Sequence, residues 1–387
     1  MLRLSRLVAS AYLALALAAF GLSVVIGPLG YAPFPLAFGA AAQPVTITLA
    51  YSGEKDAWLR EAARRFAASG ARVGRRAISV QLQAADSRAL TLDIVDERSQ
   101  PTAVLPASSL EIARLRAAWA QRKGGELIGE APVPLVASPL VLVGWKQRTQ
   151  VLWPNGPGDL WAELHDAAGK GWGALGHPEW GDVKLGHTRP NVSASGVQTL
   201  ALMAYDYHKK AGRLSAADVR DDGFRQWLQA IEGPARFSDD TDALMTDMLR
   251  FGPSTYDLVA VYESVAAQSF GSAQSRVNEL QIFYPPQTIL SDHPYAVLDA
   301  PWVSPEQREA ALLFRDYLRS PEMQALAATY GFRPADGGAP ATGAGSPFER
   351  FRSAGLRAEL GPLVEQPAAD AADALAEVWQ GANTLSK

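Results

Sequence analysis

At 387 residues the chain exceeds one ordinary domain and predicts two or three. An apolar fraction of 48% against 20% charged excludes a disordered chain and a multispan membrane protein, and a formal net charge of −4 argues against nucleic acid, which selects basic surfaces. With no cysteine, disulfide frameworks, thiolate metal sites, cysteine nucleophiles and cysteine-linked lipid anchors all drop out.

The chain opens with Arg3 and Arg6 ahead of an apolar run over 7–26, then Gly/Pro breaks and Ala40-Ala41-Ala42-Gln43. A basic start, an apolar middle and small residues before a polar restart predict a signal peptide over 1–42, cut after Ala42. A run of about 20 apolar residues also spans a bilayer, so an uncleaved anchor is the alternative. Either way, residues from 43 onward are expected outside the cytoplasm.

Residues 45–51 alternate apolar with small or polar side chains and predict a strand. Ser52-Gly53 turns the chain into a helix over 54–68 that buries Trp58, Ala62 and Phe66. A second alternating strand over 78–83 makes this a βαβ unit with parallel strands. After a short strand over 102–105, Pro106-Ala107-Ser108-Ser109 leads into a helix to about 121, with Ser108 and Glu111 spaced as a capping box. Residues 133–145 are almost continuously apolar, as in a strand buried on both faces. Helices are expected over 159–169, 215–231, 238–250 and 304–318, with a further one after Ser320-Pro321 and a last over 368–380. Strands are expected over 257–262, 280–284, 288–290 and 295–298.

The most polar turn of the chain lies at 181–208. A short strand closing at Lys184-Leu185 is followed by Thr188, Arg189, Ser193, Ser195 and Gly196, and then by a largely apolar helix. The first turn of a helix presents unpaired N–H groups and partial positive charge, so a polar ligand can dock there. A serine cap alone explains one hydroxyl, whereas two serines beside an arginine exceed that need. Ser52, Gly53 and Glu54 end a strand at its carboxyl edge, where open α/β sheets bind ligands. Ser108 and Ser109 sit at another helix start, and Glu263 follows a buried strand. A carboxylate such as Glu263 disfavours a desolvated anion unless it is paired. Trp58, Trp145, Trp180 and Trp302 are candidates to stack on a sugar face, against a plainer role as core anchors. The five histidines are scattered without an H-E-x-x-H pattern, so neither a metal nor another cofactor is expected.

Five stretches together resemble the solute-binding proteins of ABC importers with the type II periplasmic-binding fold, in the branch that includes molybdate-type binders. They are 51–55 after the first strand, 106–109 before a major helix, 177–196, 261–264, and 320–334 near the end. The resemblance implies an α/β architecture of two lobes joined by two crossover strands, near 136–142 and 288–298. Lobe I would comprise 43–136 and 297–387, and lobe II 137–296. It further implies a ligand cleft formed by Ser52, Gly53, Glu54, Ser108, Ser109, Thr188, Arg189, Ser193, Ser195, Gly196 and Glu263. The expected partners are a small polar solute, an anion among the candidates, and an ABC permease in the membrane; the expected state is a monomer without enzymatic activity. The alternatives are an exported serine-dependent hydrolase, although G-x-S-x-G is absent, and a membrane-anchored envelope protein.

Overall fold

A computed structural model describes residues 15, 17–18, 43–210, 212–272, 276–340, 343 and 345–384; the expected signal or anchor over 1–42 lies almost wholly outside them. Among the described residues no helix is long and apolar enough to cross a membrane.

In chain order, lobe I begins with β1 (Val45–Tyr51), α1 (Asp56–Ala68), β2 (Arg72–Val73), β3 (Arg76–Ala84), α2 (Ser87–Val95), β4 (Ala103–Leu105), α3 (Ser109–Lys123) and β5 (Val133–Pro134). Lobe II follows with β6 (Val136–Trp145), α4 (Lys146–Leu152), α5 (Leu160–Lys170), β7 (Leu185–Thr188), α6 (Ala194–Tyr207), α7 (Ala216–Val219) and α8 (Asp222–Glu232). It continues through β8 (Arg236–Ser238), α9 (Thr241–Phe251), β9 (Leu258–Tyr262), α10 (Glu263–Ser272), β10 (Leu280–Phe283) and β11 (Thr288–Ser291). Then come β12 (Pro294–Val297), α11 (Pro305–Leu318), α12 (Pro321–Thr329), β13 (Arg333–Pro334), α13 (Pro347–Arg350), β14 (Leu363–Val364) and α14 (Ala369–Thr384).

Lobe I is a sheet of order β2-β3-β1-β4-β12-β5. As the βαβ pattern predicts, β1 runs parallel to β3 and β4, while β12 returns antiparallel to β4. The alternation of β1 sends Val45, Ile47, Leu49 and Tyr51 into one core with α1, α11 and α12. Ala50 faces the other core, with Leu90, Ile112 and Leu298. Both sheet faces are thus covered, as a parallel sheet requires. Lobe II has the order β14-β11-β6-β9-β7-β8, with β10 and β13 also paired to β6.

The apolar stretch 133–145 proves to be two strands. β5 pairs with β12 in lobe I, and after Leu135 the chain enters β6, buried along its whole length, in lobe II. The return passes from β11, paired to β6, into β12. A further crossing occurs at β13, which pairs with the start of β6 at Ala137 and Val136.

That crossing corrects the expected lobe boundary. Residues 297–332 pack in lobe I, but from β13 onward the chain belongs to lobe II. Phe348, Phe351, Ala371, Leu375 and Trp379 join its core, so 297–387 is not one lobe I segment. The apolar pattern of α14 marked a helix without saying which lobe it covers. Three short helices, α2, α4 and α13, lie outside the expected elements, and the helix expected over 215–231 is broken into α7 and α8.

A buried ion pair fixes the crossing. Arg333 Nε and Nη2 bind both Glu263 carboxylate oxygens at 2.6 and 2.7 Å, and the guanidinium also donates to the carbonyls of Ala358 and Arg357. The Tyr284 hydroxyl donates to the same carboxylate. Gly331, at φ +81°, makes the approach: a Cβ there would stand 2.5 Å from Ala267 Cβ. Replacing Arg333 with Met should leave the Glu263 charge buried and unpaired and lower stability in urea unfolding by about 3–5 kcal/mol. A loss under about 1 kcal/mol would show that the pair is not what holds this crossing.

Candidate functional site

At the carboxyl end of β1 the chain makes a tight turn over Gly53–Lys55 before α1, and Lys55 folds inward to full burial. Its ammonium donates to Glu54 Oε1 at 2.7 Å and to Ser52 Oγ, and lies 3.1 Å from His293 Nδ1. The same Nδ1 lies 3.3 Å from Glu54 Oε1, so the ring sits between an ammonium and a carboxylate. Burial, then the Lys55 charge, lowers the pKa of His293 and favours the neutral ring. Burial alone would raise the Glu54 carboxyl, but Lys55 and His293 outweigh it and hold the group below its usual range. Ser52 and Glu54, read as ligand contacts, therefore serve first as partners of Lys55. His293 is one of three non-glycine residues with positive φ among the described residues, a conformation that persists only when surroundings hold it.

The polar turn of lobe II folds as a chain of hydroxyls. Thr188 Oγ1 lies 2.6 Å from Ser195 Oγ, which lies 3.1 Å from Ser193 Oγ. Ser193 is the N-cap residue of α6, yet its side chain makes no capping bond. Gly196 is required by packing, since a Cβ there would meet the Thr188 carbonyl oxygen at 2.1 Å. Arg189 does not join the hydroxyls: it reaches an exposed ion pair with Asp239.

Three further expectations are revised. Ser108 and Glu111 form no capping box: Ser108 is the N-cap residue of α3 without a side-chain cap bond, and Glu111 faces Arg88 and Arg114. Ser109, an expected ligand contact, donates its hydroxyl and its backbone N–H to Asp292. Glu263 is consumed by Arg333 and Tyr284, which removes it from the ligand set. Among the tryptophans, Trp58 lies in the lobe I core and Trp302 packs on Trp119. Trp145 and Trp180 line an open depression at the far end of β6.

At the junction of the lobes Ser108 is joined by polar groups that the sequence did not single out, on Arg88, Tyr262 and His293. The Arg88 backbone N–H donates to Val192 O of the lobe II turn at 3.2 Å. Its side chain is 4% exposed and bonds Asp373, yet Nε and Nη1 have no hydrogen-bond partner; Glu111, at 3.7 Å from Nη1, is too distant. Ser108 Oγ, Tyr262 OH and His293 Nε2 are buried and equally unpartnered. Tyr262 and His293 rings lie 5.9 Å apart, and the His293 N–H donates to Ala107 O, next to Ser108. Such groups are costly to leave unsatisfied, by about 1–3 kcal/mol each. The available signal was Asp86-Ser87-Arg88 after an alternating strand, a second polar strand end like Ser52-Gly53.

Beside this lies an acidic rim. Asp242 Oδ2 approaches Gly53 across the lobes, 3.6 Å from the position a Cβ would take. Desolvation, then Glu54 and Asp240, push its carboxyl up to about 7. Desolvation, then Asp240, Asp239 and Glu54, push Asp86 up to about 6. A carboxyl raised in the folded state binds a proton that the unfolded chain has released, so its penalty develops from the unfolded value upward and is complete above the folded one. Asp242→Asn should therefore raise the melting temperature at pH 8 and leave it nearly unchanged at pH 4. A gain of equal size at both pH values would show that ionisation of Asp242 is not the source.

Comparison with known proteins now identifies the frame. The chain is 28% identical over 292 residues to an uncharacterized protein of Mycobacterium tuberculosis, found in strains CDC 1551 / Oshkosh and ATCC 25618 / H37Rv. The match covers 72% of this chain but 41% of that protein, so the chain spans less than half the length of the curated relatives it matches. Among solved structures, it is similar to the sulfate-binding protein SubI from Mycobacterium tuberculosis H37Rv, with TM-score 0.54 and 18% identity, covering 84% of this chain and 95% of that one. A periplasmic thiamin binding protein matches with TM-score 0.59 and 16% identity, covering 87% and 96%. Iron-bound HitA from Pseudomonas aeruginosa matches with TM-score 0.56 and 16% identity, covering 88% and 99%. These likenesses show the two-lobed periplasmic-binding fold. The family of bacterial extracellular solute-binding proteins matches residues 47–333, well over half of the chain, and the protein belongs to that family.

Proposed function

We propose that the protein captures a small polar solute between its lobes, outside the cytoplasm, and presents it to an ABC-type permease as a monomer. The observation that supports this reading is the set of buried, unpartnered polar atoms on Arg88, Ser108, Tyr262 and His293, drawn from both lobes and from the link between them. A solute that satisfied them would favour the closed arrangement by its own binding energy, which is how a ligand drives hinge closure. The three structural neighbours are named for sulfate, thiamin and iron, so the fold itself does not select the solute. Export by the segment over 1–42 fits the extracellular family.

A hydrolase reading lacks support in the geometry. Ser195 shares its hydroxyl with Thr188 and Ser193. His187, the histidine beside that turn, is bound to Glu232 and the Thr188 carbonyl. Among the described residues no group of three or more His, Cys, Asp or Glu could hold a metal ion.

Native mass spectrometry of protein purified gently from its own host tests the reading. A small molecule should be retained and be released on unfolding. Ser108→Ala and Tyr262→Phe should each weaken its binding roughly 5- to 10-fold, the loss of one hydrogen bond, whereas Arg189→Ala should leave it unchanged. A protein that retains no solute and shows no thermal shift with a broad panel of solutes would refute solute capture.

A further inference from the structure

A hinge between the lobes can open only by breaking the bonds that cross from one to the other. The Arg88 backbone N–H reaches Val192 O of lobe II, and Gln268 Nε2 on α10 donates to the Glu54 carbonyl of lobe I at 3.3 Å. Ala107 and Leu110 of lobe I are buried in the apolar cluster of lobe II. Among the described residues, the ion pairs that cross from the first part of lobe I meet at Asp373 on α14. Its Oδ1 accepts from Arg88 Nη2 at 2.9 Å, from Arg114 Nε at 3.1 Å, and lies 2.9 Å from Arg114 Nη2.

The two ends of this contact are anchored separately. Arg88 and Arg114 stand on α2 and α3 of lobe I. α14 is fixed to lobe II: Ala371, Leu375 and Trp379 lie in its core, the Trp379 ring packs on Phe237 at 5.1 Å, and Glu377 binds Arg220 at 2.9 Å. α14 also lies outside the residues that match the family, so the contact is not part of what the family shares.

The contact is built to be released. Glu263 and Arg333 are both sealed from water, and parting them would strand two charges. Asp373 is 51% exposed, so water receives its carboxylate when the arginines leave. Each arginine has a second carboxylate inside its own lobe. Glu111 already holds Arg114 at 3.1 Å. Arg88 Nη1 and Glu111 Oε1 stand 3.7 Å apart, and each is buried without a hydrogen-bond partner. A guanidinium shift of about an ångström would bring these two atoms within bonding distance. Arg88 therefore has two discrete positions, one on Asp373 across the lobes and one on Glu111 within lobe I, and a hinge motion can switch between such positions. While the lobes are closed, a solute can answer the same N–H groups.

We propose that Asp373 of the C-terminal helix is a releasable latch: it holds the lobes closed through Arg88 and Arg114, and on opening Arg88 transfers to Glu111. This rests on the reading of the two lobes as a hinged pair, but it requires no solute.

The test is the distance between the lobes in the full exported chain, dialysed free of solute. Because the chain has no cysteine, nitroxides attach only at Gln121→Cys on α3 and Gln226→Cys on α8, both exposed positions, and double electron–electron resonance gives the populations of closed and open forms. Asp373→Asn should raise the open-to-closed ratio roughly 5- to 10-fold, the loss of charge-assisted bonds to a half-exposed carboxylate. Arg114→Gln should shift it the same way by less. Glu377→Gln, which removes an ion pair of the same helix within lobe II, should leave it unchanged. Glu111→Gln removes the second position of Arg88 and should shift the ratio toward closed, a sign that a purely structural role would not produce. Circular dichroism checks the fold of this buried variant, and if it does not fold, Asp373→Asn against Glu377→Gln decides alone. An unchanged ratio in Asp373→Asn would overturn the latch, as would an equal shift in Glu377→Gln or a folded Glu111→Gln that opens. None of these results would touch solute capture, which the retained small molecule tests separately.

Discussion

The buried pairing of Glu263 with Arg333 is the constraint on which the arrangement of lobes depends. It joins the end of β9, deep in lobe II, to a strand that lies against the base of β6, where the chain passes between lobes. Isolated, either charge would be heavily penalised in this setting. Together, with Tyr284 and two backbone carbonyls, they make a fixed point that carries the chain out of lobe I and seats its last segment on lobe II. Around that point β6 serves as a shared spine: β13 and β11 hold its first residues, and β9 and β10 hold the rest.

A second fixed point, the Lys55 ammonium, organises the other side of the junction. It draws Ser52, Glu54 and His293 into one cluster, so the end of β1 and the return link before β12 are tied together. The consequence for function is indirect. Lys55 and Glu54 both reach Nδ1 of His293, and Nε2 is left buried without a partner. By neutralising Glu54, Lys55 leaves the remaining acidic character to Asp86 and Asp242. On the proposed reading, the residues that face a solute are those the internal network does not consume.

Much of this was legible in the sequence, because the signals concerned are local. The alternation of 45–51 and the serine–proline helix start at Ser304-Pro305 reflect periodicity and capping, and each produced the expected element; the apolar run at 133–145 was strand as expected but is split between the lobes as β5 and β6. Strand ends and helix starts with excess hydroxyls also come together where the lobes meet, as Arg88 N–H on Val192 O shows. Their pairing was not legible. Ser109, Arg189 and Glu263 each have the right chemistry for a ligand, and each is engaged by a residue far away in sequence: Asp292, Asp239 and Arg333. Conversely, Ser108 is spared from its apparent capping partner because Glu111 is drawn to arginines. Pairing across long sequence separations decides which polar groups remain free, and a one-dimensional pattern does not contain it.

The placement of α14 bears on how the protein can be divided. The family match ends at residue 333, yet Ala371, Leu375 and Trp379 are interior residues of lobe II. A border of sequence kinship and a border of independent folding are therefore different things in this chain. Cut at the former, lobe II would lose a wall of its interior and expose an apolar trough to water, while Arg88 and Arg114 would lose the carboxylate of Asp373 that spans the lobes. A fragment meant to fold on its own must accordingly extend past residue 333 and include α14.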